Sequence, residues 1–297
     1  MPGVAREAAP QGAVALVKPR VLVLLLLTGM AAALVADPSP DPVMLGWLLL
    51  GGLLTVASAN VFNNLLDTDR DSLMERTMWR PLPAGTVSPR NATVLSLLLG
   101  VAGLTVLWNR VNGLTAALAV AGMMYYIIVY TGALKPRTPQ NIVLGGVAGA
   151  FPPLVGWAAV EGTVGLPAVL MGLLVVLWTP PHFWSLAILY EDDYRRAGLP
   201  MMPVVRGAAA TRALIAAYTV ALVASSLVLA VVGGTGAVFL VGAVALAAPH
   251  LWLSAALVRR SDMASARRLF KFSSVYLAVL FTLLVADALV AWPLPWG

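Results

Sequence analysis

Nine apolar runs, each close to the length of a membrane-crossing helix, alternate along the chain with short polar gaps. About 20 mostly apolar residues cover the hydrocarbon core as a helix. Segments 20–36, 43–66, 91–109, 113–134, 141–160, 166–190, 211–232, 235–258 and 270–292 meet that test. The turns "NRVNG" at 109–113 and "GGTG" at 233–236 separate the closest neighbours, Asn-Gly and Gly-Gly being good turn signals. The pattern predicts an all-α, polytopic membrane protein with nine transmembrane helices around a central cavity. It reads as one domain over residues 1–297, with 1–17 as a cytoplasmic tail.

Composition agrees. The chain is 60% hydrophobic and only 11% charged, with a mean hydropathy of +0.88, whereas soluble domains carry about a quarter charged residues. A net charge of +6 does not point to nucleic acid, because the cations sit in the gaps between apolar runs rather than along a polar face. With no cysteine, disulfides, thiolate metal sites and a cysteine nucleophile are excluded.

Charge is concentrated in two connections, 67–90 and 191–210, which hold seven of the thirteen acids: Asp67, Asp69, Asp71, Glu75, Glu191, Asp192 and Asp193. Each runs from acids through arginines and a proline-rich turn to a glycine and a new helix, which predicts an internal duplication with a site shared between its halves. Asn63, Asp67 and Asp71 are spaced by four, so on a helix their side chains share one face. Three oxygen ligands in line suit magnesium, which takes one or two carboxylates plus waters and phosphate oxygens. Arg76 and Arg80 repeat the four-residue spacing and offer forked donors for phosphate. The alternative is a solvated loop whose charges pair with one another; it fits Asp69 and Glu75, which point off the shared face. Asp67 and Asp71 start inside an apolar helix, where charge is costly and usually functional.

These residues resemble a family. Asn63-x-x-x-Asp67-x-x-x-Asp71 is similar to the first acidic motif of the UbiA-type intramembrane prenyltransferases. With "ERTMWRPLPAG" (75–85), "LKPRTPQNIVLGG" (134–146), "WTPPHFWSLAI" (178–188) and "DYRRAGLPMMPVV" (193–205), the chain resembles the haem branch, the protoheme IX farnesyltransferases (haem O synthases). Glu191 and Trp79 depart from that branch, which usually has a basic residue at the first position and commonly a smaller polar one at the second. The resemblance implies transfer of farnesyl from farnesyl diphosphate to a vinyl group of haem b, by loss of diphosphate, capture of the allylic cation and addition of water. It further implies that Asn63, Asp67 and Asp71 hold Mg2+ on one side, with Asp193 and Asp192 on the other, Asp67, Asp71 and Asp193 being catalytic. Arg76, Arg80, Lys135, Arg137 and Arg196 would contact diphosphate. Implied partners are farnesyl diphosphate, haem b, the lipid bilayer and a haem A synthase.

His182, between Trp178 and Trp184, reads either as a ligand of the substrate haem iron or as a hydrogen bond to a neighbouring helix. His250 reads as structural, and Asp287 is assigned no role. Trp47, Trp157, Trp292 and Trp296 read as interface aromatics. A prenyltransferase with another acceptor, such as a quinone precursor or a chlorophyllide, would keep the same diphosphate machinery. A secondary transporter would place its acids near the bilayer midplane, whereas these cluster at helix ends.

With nine spans the termini lie on opposite sides. Every lysine and arginine except Arg110 then falls on one side, which predicts a prokaryotic cell membrane protein with a cytoplasmic N terminus and an outward C terminus. A topology reporter inserted near Thr86 is expected to be active only in the cytoplasm, and one fused after Gly297 only outside. The reverse at either point breaks the nine-span count.

Overall fold

The computed structural model describes residues 12–290. The tail cation Arg6, the interface residues Trp292 and Trp296 and the end of the ninth predicted span lie outside the described residues. Among them helix is the only regular secondary structure. A short α1 (Ala13–Leu16) precedes α2 (Pro19–Ala36), α3 (Pro42–Ser72), α4 (Pro89–Arg110) and α5 (Gly113–Met124), which continues as a π-helix, Tyr125–Leu134. Then come α6 (Asn141–Gly145), a 3-10 turn (Gly146–Ala150) and α7 (Phe151–Glu161). The rest comprises α8 (Leu166–Leu189), α9 (Glu191–Arg196), α10 (Met202–Val232), α11 (Ala237–Arg260) and α12 (Met263–Val290).

Nine stretches among the described residues are long and apolar enough to cross a membrane, in the order the hydropathy pattern predicts. Three of the starts repeat one device. Pro19, Pro42 and Pro89 open α2, α3 and α4, where the missing N–H costs nothing. Asp41 and Ser88 cap the second and third of these by accepting from Val43 N at 3.0 Å and Asn91 N at 3.2 Å. The helix bounds depart from the apolar runs at functional ends. α3 stays helical to Ser72, so the acids lie on a continuous helix rather than in a loop. α10 begins at Met202, with a break at Gly207 whose φ of 77° is open to glycine.

α8, α10, α11, α12 and α2 share the main core, where Met171, Leu174, Trp178, Leu222, Phe239 and Phe281 interlock. A second apolar cluster sits at one end and holds the 190–202 connection down. Trp184, Ile188, Tyr194, Leu199, Met202 and Leu269 pack there, and Met74 joins them from the connection after α3. The two charged connections therefore share one apolar support. Side chains such as Val94, Leu98, Val101 and Val241 stay exposed on the flanks, as a lipid-facing surface requires, since lipid is as apolar as they are.

Small residues set the closest helix approaches. A Cβ on Gly156 would lie 1.8 Å from the Gly29 carbonyl oxygen, so α2 and α7 touch backbone to backbone. Across α3 and α4, Gly103 meets the Thr55 backbone and Gly100 the Ser58 side chain. With no water to expel, membrane helices associate through such close packing. Gly156→Ala is therefore expected to destabilise by about 1–3 kcal/mol through overpacking, seen as a lower melting temperature in detergent. Gly46→Ala, with nothing within 4 Å of the added methyl, is expected to leave melting unchanged or slightly raised.

Candidate active site

The last three turns of α3 carry the site. Asn63, Asp67 and Asp71 are 3%, 1% and 1% exposed, while Asp69 is on the exposed side of the helix, so the four-residue spacing does put the three oxygens on one inward face. Buried carboxylates are costly unless cations and donors surround them. Lys135 Nζ lies 2.5 Å from Asp67 Oδ2, and Arg80 Nη1 2.6 Å from Asp71 Oδ2. Asn63 Nδ2 donates to Asp67 Oδ2 at 3.0 Å and to Thr131 Oγ1 at 2.9 Å. Lys18 donates to Asn63 Oδ1. The other Asp67 oxygen, Oδ1, is buried without a hydrogen-bond donor, its cation being Arg70 at 3.7 Å.

Two backbone irregularities deliver these partners. The ten-residue π-helix Tyr125–Leu134 widens the turn so that Thr131, bonded to the Tyr126 carbonyl five residues back at 2.8 Å, reaches Asn63. Lys135 N closes it on Tyr130 O at 2.8 Å, and the Lys135 side chain reaches Asp67. Long π-helices are rare and concentrate at functional sites. Lys18, just ahead of α2, holds a left-handed backbone (φ 52°). Burial pushes its ammonium down to about 7, Arg80 adding to the effect and Asp67 opposing it.

The second connection meets the first through Asp193, which is buried. It accepts from the backbone N–H of Glu75 at 3.2 Å and of Arg76 at 3.3 Å, and from Arg196. Arg196 also pairs with Glu75 at 3.1 Å. The Arg76 guanidinium lies over the Tyr190 ring, 5.3 Å from its centroid, and 3.4 Å from the Tyr194 hydroxyl. The two connections thus form one assembly, but Asp193 acts in it as a clasp on backbone N–H groups. Its oxygens are taken by these donors, whereas those of Asp67 and Asp71 face Lys135 and Arg80. Asp192, expected beside it, is exposed and pairs with Arg195 at 2.9 Å, and Arg195 also takes Glu191 at 2.5 Å; this pairing gives Glu191 a local partner. Arg137 is exposed and donates to the Gly132 and Ala133 carbonyls at 3.0 and 3.1 Å, closing the end of the π-helix rather than facing the carboxylates.

His182 lies between Trp178 and Phe270, stacked on both, with ring centroids 4.4 and 4.6 Å away. Its Nδ1 is 2.7 Å from Ser273 Oγ, and that hydroxyl gives its own proton to the Phe270 carbonyl at 2.8 Å. Nδ1 is then the donor, and Nε2 keeps its lone pair. The bond to a neighbouring helix anticipated for His182 is formed, to α12. His250 is buried against Phe272 and Tyr276. Asp287 caps α11, accepting from Gly236 N and from Phe239 N at 3.0 Å. Lys18, Thr131 and the two tyrosines beside Arg76 were missed in the sequence; only the proline after Lys18, marking a helix start, places that lysine at a bundle end.

The donor set is all oxygen: the Asn63 amide, the Asp67 Oδ1 that lacks a hydrogen-bond donor and the Asp71 carboxylate. Two carboxylates do not make a closed cage. They fit a hard cation that completes its shell with waters and phosphate oxygens, the habit of magnesium.

A relative from Gloeobacter violaceus named protoheme IX farnesyltransferase is 46% identical over 279 residues, covering 92% of this chain and 90% of its own. One of the same name from Mycobacteroides abscessus is 43% identical, covering 94% and 90%. Among solved structures, one of a digeranylgeranylglyceryl phosphate synthase superposes with a TM-score of 0.77 at 17% identity, over 94% of this chain and 98% of its own. A UbiA homolog from Archaeoglobus fulgidus bound to GPP and Mg2+ gives 0.61 at 15%, over 92% and 99%. At such identities these two speak for the fold. The model of the UbiA prenyltransferase family matches residues 22–292, so the chain belongs to that family.

Proposed function

We propose that this protein transfers a farnesyl group from farnesyl diphosphate to a vinyl group of protoheme IX (haem b), diphosphate leaving and water adding as hydroxyl to the other vinyl carbon with loss of a proton, to form haem O. The observation that carries the reading is the 46% identity to a protoheme IX farnesyltransferase across 92% of the chain. The buried oxygen face ringed by cations supports it chemically. The site end of the bundle is taken to face the cytoplasm of a prokaryotic cell, on the distribution of basic residues. Asn63, Asp67 and Asp71 would hold magnesium, which supplies charge neutralisation for the departing diphosphate. Lys135 and Arg80, already fixed against these carboxylates, offer donors to the same oxygens. When the allylic C–O bond breaks, its electron pair leaves with the diphosphate, so prearranged positive charge lowers the barrier.

The remaining residues position the reactants. Asp193 and Arg196 hold the backbone of Glu75 and Arg76, so that the connection bearing Arg76 and Arg80 stays over the α3 face. His182 bonds α12 through Nδ1 and leaves Nε2 to meet the acceptor haem. Release into water would let the farnesyl cation be hydrolysed, and a site walled by helices limits that loss.

Asp67→Ala and Asp71→Ala are each expected to lower magnesium-dependent release of diphosphate from farnesyl diphosphate by about 100-fold or more, while the exposed Asp69→Ala stays within a few-fold of wild type. Equal loss in all three would contradict the shared-face assignment. Expression in a host lacking its own haem O synthase is expected to yield haem O. Diphosphate release with some other prenylated product would instead favour a quinone precursor or a chlorophyllide as acceptor, and release itself excludes a transporter.

A further inference from the structure

Lys18 stands apart from the other cations of the site because nothing in the acidic or arginine motifs explains it. It precedes the first span, and a lysine there is ordinarily an interfacial anchor with its ammonium in water. Here the ammonium turns inward and donates to Asn63 Oδ1, on the face that carries Asp67. Two further α3 asparagines fix the chain that presents it. Asn60 Nδ2 donates to the Val17 carbonyl and Asn64 Nδ2 to the Leu16 carbonyl, each at 2.8 Å, and both asparagines are 2% exposed. Leu16 is 1% exposed and packs with Val61, Leu82 and Ala92. Lys18 itself holds φ 52°, ψ 69°, a left-handed conformation that costs a side-chain-bearing residue about 1–2 kcal/mol. A strained residue persists where its surroundings over-determine it. Three asparagines one turn or less apart, all spent on three consecutive residues, are such surroundings.

We infer that Lys18 is a diphosphate-binding residue, delivered into the site by the Asn60–Asn64 grip on the backbone ahead of α2. This rests on the diphosphate reading above. Its ammonium is held on Asn63, the oxygen that reading gives to a cation, so it stands beside the place where that cation and its diphosphate would sit. A lysine suits the task because its point charge and three rotatable donors follow a moving phosphate, where the fork of an arginine is fixed. Residues 16–18 then belong to the site and not to a tail.

The test is calorimetric titration of inorganic diphosphate with magnesium into the purified full-length protein. Wild type is expected to bind, Lys18→Met to bind at least 10-fold more weakly, and Lys18→Arg to stay within about 3-fold of wild type. Asn60→Ala/Asn64→Ala, which keeps the lysine and frees its backbone, is expected to weaken binding several-fold and remains informative should Lys18→Met fail to fold. Binding by Lys18→Met or by the double variant equal to wild type would overturn the inference alone. No binding by wild type would remove the diphosphate reading together with it.

Discussion

Two carboxylates buried at the end of an apolar helix set the terms on which the surrounding elements are arranged. Asp67 and Asp71 are almost without exposure, and the desolvation of each amounts to several kcal/mol unless cations are held close. The cations arrive from separate parts of the chain: Lys135 from the π-helix, Arg80 from the connection after α3, Arg70 from α3 itself. Removing one partner of such a pair leaves an uncompensated charge, so the geometry of all these segments is coupled. On the proposed reading the same oxygens would meet a divalent ion and a leaving group with about three negative charges, and the ammonium of Lys135 and the guanidinium groups of Arg80 and Arg70 are placed against them by the fold itself.

The second acidic connection contributes in another way. Asp193 spends its oxygens on backbone N–H groups of Glu75 and Arg76 and on Arg196, and Met74 is sunk in the apolar cluster under α9. A hydrogen-bonded clasp above and an apolar anchor below make the two connections one rigid cap. Precision at Arg76 and Arg80 is then inherited from the core of the second half of the bundle.

The nine spans and the α3 face were legible because each depends on a property that side chains carry themselves. Hydropathy over some twenty residues decides whether a helix can cross a bilayer, and a four-residue spacing decides which side chains share a face once the helix runs on through Ser72. The π-helix was not legible, since slipping the hydrogen bond from four residues back to five changes no side chain. The Asp193 clasp was hidden for a related reason: its partners are backbone donors, which every residue but proline has. Asp192 and Asp193 are adjacent and chemically alike, yet one is exposed and the other buried; the phase of the six-residue α9 decides between them, and so short a helix has no periodicity to read. Arg137 donates to the last carbonyls of its own helix, a pairing its charge alone does not announce, since every helix end offers such acceptors.

The wide-turned segment Tyr125–Leu134 makes chain length, rather than side-chain identity, the sensitive variable along this stretch. Each residue of an ordinary helix advances the direction of the next side chain by about 100°, so one residue deleted between Thr131 and Lys135 would swing the lysine to a different face and leave Asp67 with Arg70 alone. Substitutions at the lipid-facing positions of the same segment, such as Ile128, which is exposed, change only what the bilayer touches. The segment behaves as a spacer of fixed phase: tolerant of spelling, intolerant of insertions and deletions.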